Sequence, residues 1–241
     1  MFALPAQAAT APADPATVLR KLLVPGGGVV FSERSKTWLG EDPADPTTDF
    51  RIRGTLAFGK GTVAAGDVTR VTASGKKFRF RVAGGRTYAS GGAWSDMLPK
   101  GKKWTRASAL KYQPYELSEQ NVNIFEPAAL RRLLGSTKST APNQPNNGLT
   151  TTRYSGSVTT KALCAVSPAC RKKFGRQVDI EIFWQLWTND KGQVVQLLTK
   201  WTWAKDENAV GGGSEVNTHY SGWGSRVTVK APPANQVAAV S

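Results

Sequence analysis

The residues able to do bond-making chemistry are few. Histidine occurs once, at His219, and cysteine twice, at Cys164 and Cys170. A zinc site built from imidazoles and thiolates would have to pool the two ligand types from distant segments, so no metal site is expected. His219 sits in Asn217-Thr218-His219-Tyr220-Ser221, and no acid or nucleophile is spaced to complete a triad with it. HExxH, GxSxG, the P-loop and the Rossmann glycine fingerprint are absent from the sequence. Gly26-Gly27-Gly28 lacks the Lys and Ser/Thr of a phosphate loop and reads as a turn. Glu41, Asp42, Asp45 and Asp49 crowd one Pro-containing stretch, but their spacing matches no EF-hand, and a solvated loop is the reading. The expectation is a non-enzymatic protein with no catalytic residue and no cofactor. A hydrolase using an unrecognised carboxylate pair is the weaker alternative.

Cys164 and Cys170 are separated by five residues, a spacing that can close a small loop. Near the start, Ala6-Gln7-Ala8 fits the small-residue rule for signal-peptidase cleavage, and the first residues read as the end of an export signal. In an exported protein an even cysteine count favours a disulfide over two reduced, buried thiols. The expected location is therefore secreted or in the extracytoplasmic cell envelope.

What remains is binding chemistry, of two kinds. The 241 residues carry 32 Lys plus Arg against 17 Asp plus Glu, a formal charge of +15. Period-two spacing puts Arg51 and Arg53, and Lys77, Arg79 and Arg81, on one side of their strands, an anion-binding face in prospect. Further basic clusters are Lys100, Lys102, Lys103 and Arg106, and Arg171, Lys172, Lys173 and Arg176. Outside the cell such a face suits an anionic membrane surface or cell-wall polymer. Nucleic acid is the reading for a cytosolic chain and is disfavoured by the export signal.

The second kind is apolar. Phe50, Ile52, Leu56 and Phe58 alternate with the first arginines, and Phe78 and Phe80 with the second set. A later pair of runs adds Ile180, Ile182, Trp184, Leu186, Trp201 and Trp203. A binding site for a lipid or other amphiphile needs more inward apolar surface than the core itself fills. These twelve residues are the candidates for it. The competing reading is that they pack on the helices and leave no cavity. Phe183 and Trp187 lie opposite Trp184 and Leu186, so this hairpin is apolar on both sides, for a covering element or a partner.

The elements that must position these residues are mostly short strands. About 40% of the residues are apolar and 20% charged, with eight Trp, so a packed core is expected rather than a disordered polycation. Asp14-Pro15 opens a short helix carrying Val18, Leu19, Leu22 and Leu23, and Pro127 to Leu134 forms another before Gly135. Helices near Thr160 to Cys164 and Ser167 to Phe174 would be stapled by the disulfide. Strands are predicted at Phe50 to Phe58, Asp67 to Ala73, Lys77 to Val82, Arg86 to Ser90 and Lys103 to Arg106. Others are Val178 to Trp187, Val195 to Trp203, Thr218 to Trp223 and Arg226 to Lys230. Asn189-Asp190-Lys191-Gly192 supplies a hairpin turn. Residues 136–148 read as a polar loop. About ten strands and three or four short helices make an antiparallel α+β design.

Arg86-Thr87-Tyr88, Gly91-Gly92-Ala93-Trp94, Gly101-Lys102-Lys103-Trp104, Thr152-Arg153-Tyr154-Ser155-Gly156, Asp190-Lys191-Gly192 and Tyr220-Ser221-Gly222-Trp223-Gly224, in this order, carry a resemblance. Over residues 14 to 233 the chain resembles the LppX/LprG-type actinobacterial lipoproteins, whose fold is similar to the carrier LolA. The resemblance implies a curved antiparallel sheet, an open half-barrel with helices on its concave face, and an apolar cavity between the layers that carries acyl chains. It implies one domain over 14–233, with residues 1–13 and 234–241 as flexible tails. Members usually bear an acylated cysteine after the signal peptide. This sequence has no Cys before Cys164, and Ala6-Gln7-Ala8 favours release over anchoring.

Overall fold

A computed structural model describes residues 13–40, 42–107, 110–175, 179–203 and 210–240. The expectations placed on Ala6-Gln7-Ala8, Glu41, Arg176 and Val178 lie outside the described residues.

Helix α1 (Pro15–Leu22) opens the fold, and its N-cap Asp14 accepts hydrogen bonds from the N–H groups of Ala16 and Thr17. Strands β1 (Gly28–Leu39), β2 (Thr48–Gly59), β3 (Thr62–Thr72), β4 (Lys77–Ala83) and β5 (Arg86–Ser90) follow as a meander. The single turn α2 (Ala93–Asp96), β6 (Trp104–Ala107) and a 3-10 turn at Pro114–Leu117 come next. Then come α3 (Pro127–Leu134), the hairpin of β7 (Thr137–Asn146) and β8 (Leu149–Thr159), α4 (Thr160–Cys164) and α5 (Pro168–Phe174). The chain continues through the hairpin of β9 (Glu181–Thr188) and β10 (Val194–Trp203) to β11 (Gly212–Ser221) and β12 (Val237–Val240).

All twelve strands form one sheet, in the order β12-β6-β5-β4-β3-β2-β1-β11-β10-β9-β8-β7. Every neighbouring pair is antiparallel except β12, which runs parallel to β6. The sheet does not close, so β12 and β7 are its edges. It is the antiparallel design with a few short helices that the strand pattern predicts, in the open form that the resemblance implies. Among the described residues no helix is long and apolar enough to cross a membrane.

Alternation along each strand decides which face is which. In β1, Val29, Phe31, Glu33 and Ser35 are buried while Val30, Ser32 and Arg34 are exposed. In β9, Ile182, Trp184 and Leu186 are buried while Glu181 and Phe183 are exposed. The buried side, here the inner face, packs on α1 through Leu19 and Leu23, on α3 through Leu130 and Leu133, and on α4 through Leu163. Leu117, Val122 and Ile124, from the irregular stretch before α3, complete one continuous core.

Two stretches depart from the sequence reading. Residues 136–148, read as a polar loop, contain β7, which pairs with β8 through two register shifts. Its side chains are all half-buried or exposed, so it lacks the apolar alternation by which strands are recognised. Pro142 and Pro145 are tolerated because an edge strand leaves one side of its backbone unpaired. Arg226–Lys230, read as a strand, belongs to no ladder. It is a strap instead: Gly224 N–H donates to the Gly28 carbonyl at 2.9 Å, and Arg81 Nη1 to the Lys230 carbonyl at 3.0 Å. Gly28 makes the crossing possible, since a Cβ there would lie 2.5 Å from the Val227 side chain. The strap delivers residues 237–240, expected as a tail, to β6 as the parallel edge strand β12.

Candidate functional site

The centre of the inner face is polar. Glu33 of β1 is 5% exposed and lies opposite Thr218 of β11. Its Oε2 accepts hydrogen bonds from Thr218 Oγ1 at 2.7 Å and Ser118 Oγ at 2.5 Å, and its Oε1 accepts from the Glu119 N–H at 2.8 Å. Burial pushes the Glu33 carboxyl above the ordinary range; the three hydrogen bonds oppose this, and the charge of Glu119 adds to it.

Gln120 and Asn121 extend the network. Gln120 Nε2 donates to the carbonyls of Leu197 (3.0 Å) and Val216 (3.2 Å) and to Thr218 Oγ1 (2.9 Å). Its Oε1 accepts from Thr199 Oγ1 at 2.9 Å, and Asn121 Nδ2 donates to Thr199 Oγ1 at 3.2 Å. Glu119 forms an ion pair with Arg70 of β3, whose guanidinium lies over the Phe50 and Phe80 rings at 5.0 and 5.6 Å. Residues 118–121, which have no regular structure, are thereby tied to β1, β3, β10 and β11. Buried polar groups of this kind fix one arrangement because leaving any of them unpaired costs about 1–3 kcal/mol.

Next to this network, the 115–125 stretch, α5 and Tyr220 line a cavity of about 180 Å3. Val122, Ile124, Phe125, Ala169 and Tyr220 give it an apolar wall, and Glu119, Asn121, Asn123 and Lys173 a polar one. Lys173 is an exposed residue whose Nζ donates to the carbonyls of Glu119 (2.8 Å) and Gln120 (3.1 Å). Protein packed around the ammonium pushes its pKa down, and Glu119 and Glu33 pull it back up. Burial pushes the Tyr115 hydroxyl up to about 12, with Glu116 and Glu126 adding to the rise. The Tyr220 hydroxyl is also pushed up, by complete burial and then by Glu33. Both phenols therefore stay protonated.

Besides Lys173, further contacts order and position α5, among them the ion pair of Lys172 with Glu116. Ser167 caps it by accepting from the Cys170 N–H at 3.0 Å, Glu126 Oε1 accepts from the Ala169 N–H at 3.1 Å, and Cys164 is joined to Cys170 by a disulfide. A cavity of ~150 Å3 takes a benzene-sized group. The space here thus suits one ring or one short chain, lying against the apolar wall with a cation on the other.

The apolar residues nominated from the sequence sit beside this cavity rather than around it. Ile52, Leu56, Phe58, Phe80, Ile182, Trp184 and Leu186 are buried in the continuous core, and Phe50, Phe78 and Trp201 pack against it. Trp203 stacks on Trp201 at 4.9 Å, and Phe174 meets Trp201 edge-on at 6.2 Å. Ile180 precedes β9, half-buried, with its N–H donating to Thr160 Oγ1 at 2.9 Å. None of the twelve lines the 180 Å3 cavity. Phe183 is half exposed on the outer face.

The basic row is on the outer face, and it is divided. Asp67 of β3 receives Arg79 at 2.8 and 2.7 Å and Arg81 at 2.8 and 2.5 Å. Both guanidiniums also lie over Trp104, at 5.4 and 4.9 Å. Arg51, Arg53 and Lys77 are exposed and form no ion pair among the described residues. No group of three or more His, Cys, Asp or Glu that could hold a metal occurs among the described residues.

Among solved structures, the chain is similar to LprF from Mycobacterium bovis, with a TM-score of 0.48 and 14% identity over 90% of this chain and 96% of that one. A LolA superfamily protein from Nitrosomonas europaea matches with a TM-score of 0.29 and 9% identity, over 89% and 93% of the two chains. A DUF1329 family protein from Desulfovibrio piger matches at 0.28 and 11%, over 87% and 92%. No protein-family model and no curated protein sequence matches the chain.

Sequence reasoning missed Glu33, Arg70, Gln120 and Lys173. Glu33 and Arg70 did carry a signal, since each occupies an inward position of its strand, where period two demands an apolar residue. Gln120, Asn121 and Asn123 lie in a stretch without periodicity, and nothing local places them on the sheet. Lys173 was read as one of a basic cluster on a short helix; only the approach of residues 119–120 singles it out.

Proposed function

We propose that this protein is a non-enzymatic carrier of the extracytoplasmic envelope or a secreted counterpart, binding a lipid or other amphiphile between its sheet and its helical layer. The observation that carries the reading is the cavity beside Phe125 and Tyr220, apolar on one wall and reached by Lys173 on the other. An apolar chain or ring entering it gains ~25 cal/mol for each Å2 taken from water. An anionic head at the rim gains a cation that is already partly desolvated. Extension of the ligand beyond 180 Å3 would displace side chains of the neighbouring core, first Phe58, whose ring lies 6.2 Å from that of Phe125. The disulfide agrees with an oxidising compartment.

The test is chemical. Protein purified from an envelope or secreted fraction is extracted with organic solvent, and the extract is analysed by mass spectrometry alongside displacement of a fluorescent fatty acid. The reading predicts a stoichiometric amphiphile in the extract or saturable displacement. A clean extract together with no fatty-acid binding contradicts it.

A further inference from the structure

The outer face carries a second cavity, built by register. Arg53 of β2, Ser32 of β1, His219 of β11 and Gln196 of β10 are successive cross-strand partners. Their side chains leave the same face in a row with a strand-to-strand spacing of ~4.8 Å. The tip of the β7–β8 hairpin folds back onto this row. Asn146 Nδ2 donates to Gln196 Oε1 at 2.6 Å, and Asn147 Nδ2 contacts His219 Nδ1 at 3.0 Å. Asn147 and Gly148 both have positive φ (48° and 79°), the two-residue turn that suits the twist of a hairpin, so the tip is a shaped element. Between tip and row lies a cavity of about 370 Å3, lined by Arg53, Ser32, His219, Asn147, Val30 and Leu149 among others.

We propose that this cavity binds a small organic carboxylate with an apolar body. Arg53 supplies the charge: it is exposed, and among the described residues it forms no ion pair and no Asp or Glu lines the cavity. A guanidinium offers donors in the fork that a carboxylate matches. His219 supplies a neutral donor. With the Asn147 amide on Nδ1, the ring proton resides on Nε2, and burial holds the imidazole pKa below its ordinary value. Ser32 adds a hydroxyl. The apolar part is equally defined: Val30 and Leu149 are 41% and 47% exposed, large aliphatic surfaces facing a space that nothing else fills. The volume lies within the ~300–1,000 Å3 typical of ligand pockets and has room for on the order of ten non-hydrogen atoms. This site is on the opposite face of the sheet from the cavity of the proposed carrier function and stands or falls separately from it.

His219 is the sole histidine of the sequence, so its ring C–H signals report on this cavity in a proton NMR titration of the full chain. Benzoate and its uncharged counterpart benzyl alcohol are the probes. Benzoate should shift the His219 signals saturably, and benzyl alcohol should bind about tenfold more weakly or worse, the weight of one charge-assisted pair. Arg53→Gln should weaken benzoate about tenfold and leave benzyl alcohol unchanged. His219 signals unmoved by benzoate, or benzoate binding equally to parent and Arg53→Gln, would overturn the proposal. Arg53 is exposed and holds no structural partner among the described residues, so the variant should fold; its near-UV circular dichroism verifies that.

Discussion

Glu33 Oε2 accepts a 2.7 Å hydrogen bond from Thr218 Oγ1, its partner in the adjacent strand, at the buried centre of a twelve-stranded sheet. Thr218 also receives Gln120 Nε2 at 2.9 Å, and Glu33 also receives Ser118 and Glu119. This pair is thus the seat on which the 118–121 stretch rests, and that stretch forms one wall of the inner cavity. Disturbing Glu33 should be felt at the cavity without any contact between Glu33 and a ligand.

The Glu33 carboxyl titrates above the ordinary range when folded. Between the unfolded and folded pKa the folded chain holds the extra proton, so stability from this group is complete below the unfolded pKa and lost as pH rises through the folded one. Glu33→Gln keeps the shape and removes the titration. Denaturation of parent and variant at about pH 4 and about pH 8 should show the variant gaining on the parent at the higher pH. An equal difference at both pH values would contradict this.

Trp184 is 2% exposed, and its Nε1 donates to Ser136 Oγ at 3.2 Å above Gly156. Because the ring is almost wholly buried in the core, Trp184→Ala should cost ~3–5 kcal/mol. Gly156→Ala should also destabilise, since a Cβ there would meet the Ser136 carbonyl at 2.3 Å. Urea unfolding checks both; a loss under about 1 kcal/mol for Trp184→Ala would mean that the ring has fewer partners than its burial indicates.

Cys164 and Cys170 close a loop of only a few residues, so Cys164→Ser with Cys170→Ser should cost about 2 kcal/mol, the low end for disulfides. The same double variant should weaken amphiphile binding, because Ala169 and Cys170 belong to the cavity wall. Unfolding and binding measured on one preparation separate the two effects.

Lys173→Gln should lower affinity for a fatty acid about tenfold while leaving the corresponding fatty alcohol unchanged, since only the charged head uses the ammonium. Equal losses for both ligands would assign Lys173 to packing of α5 alone.

Much of the fold could be read from the sequence because alternation and capping are local. Asp14-Pro15, Pro127 to Gly135 and the Val195 to Trp203 return strand each announce themselves within ten residues. β7 could not be read, since its pairing is decided by β8 and an open edge rather than by apolar spacing. The site was harder still. Alternation separates inward from outward residues but does not say which inward residues meet helices and which meet a void. Phe58, Phe80 and Ile182 are inward as expected and lie in the continuous core, whereas the wall of the inner cavity is drawn from a stretch whose irregular backbone gives no period to follow.

The most direct measurement is binding of a fluorescent fatty acid to the parent and to Ala169→Phe. Ala169 is 8% exposed and lines the inner cavity, so a phenyl ring there should fill it. The account predicts saturable binding by the parent and loss of about tenfold or more in the filled variant, with the fold preserved by near-UV circular dichroism. Undiminished binding by Ala169→Phe, or none by the parent, would contradict the claim that this cavity is where an amphiphile is held.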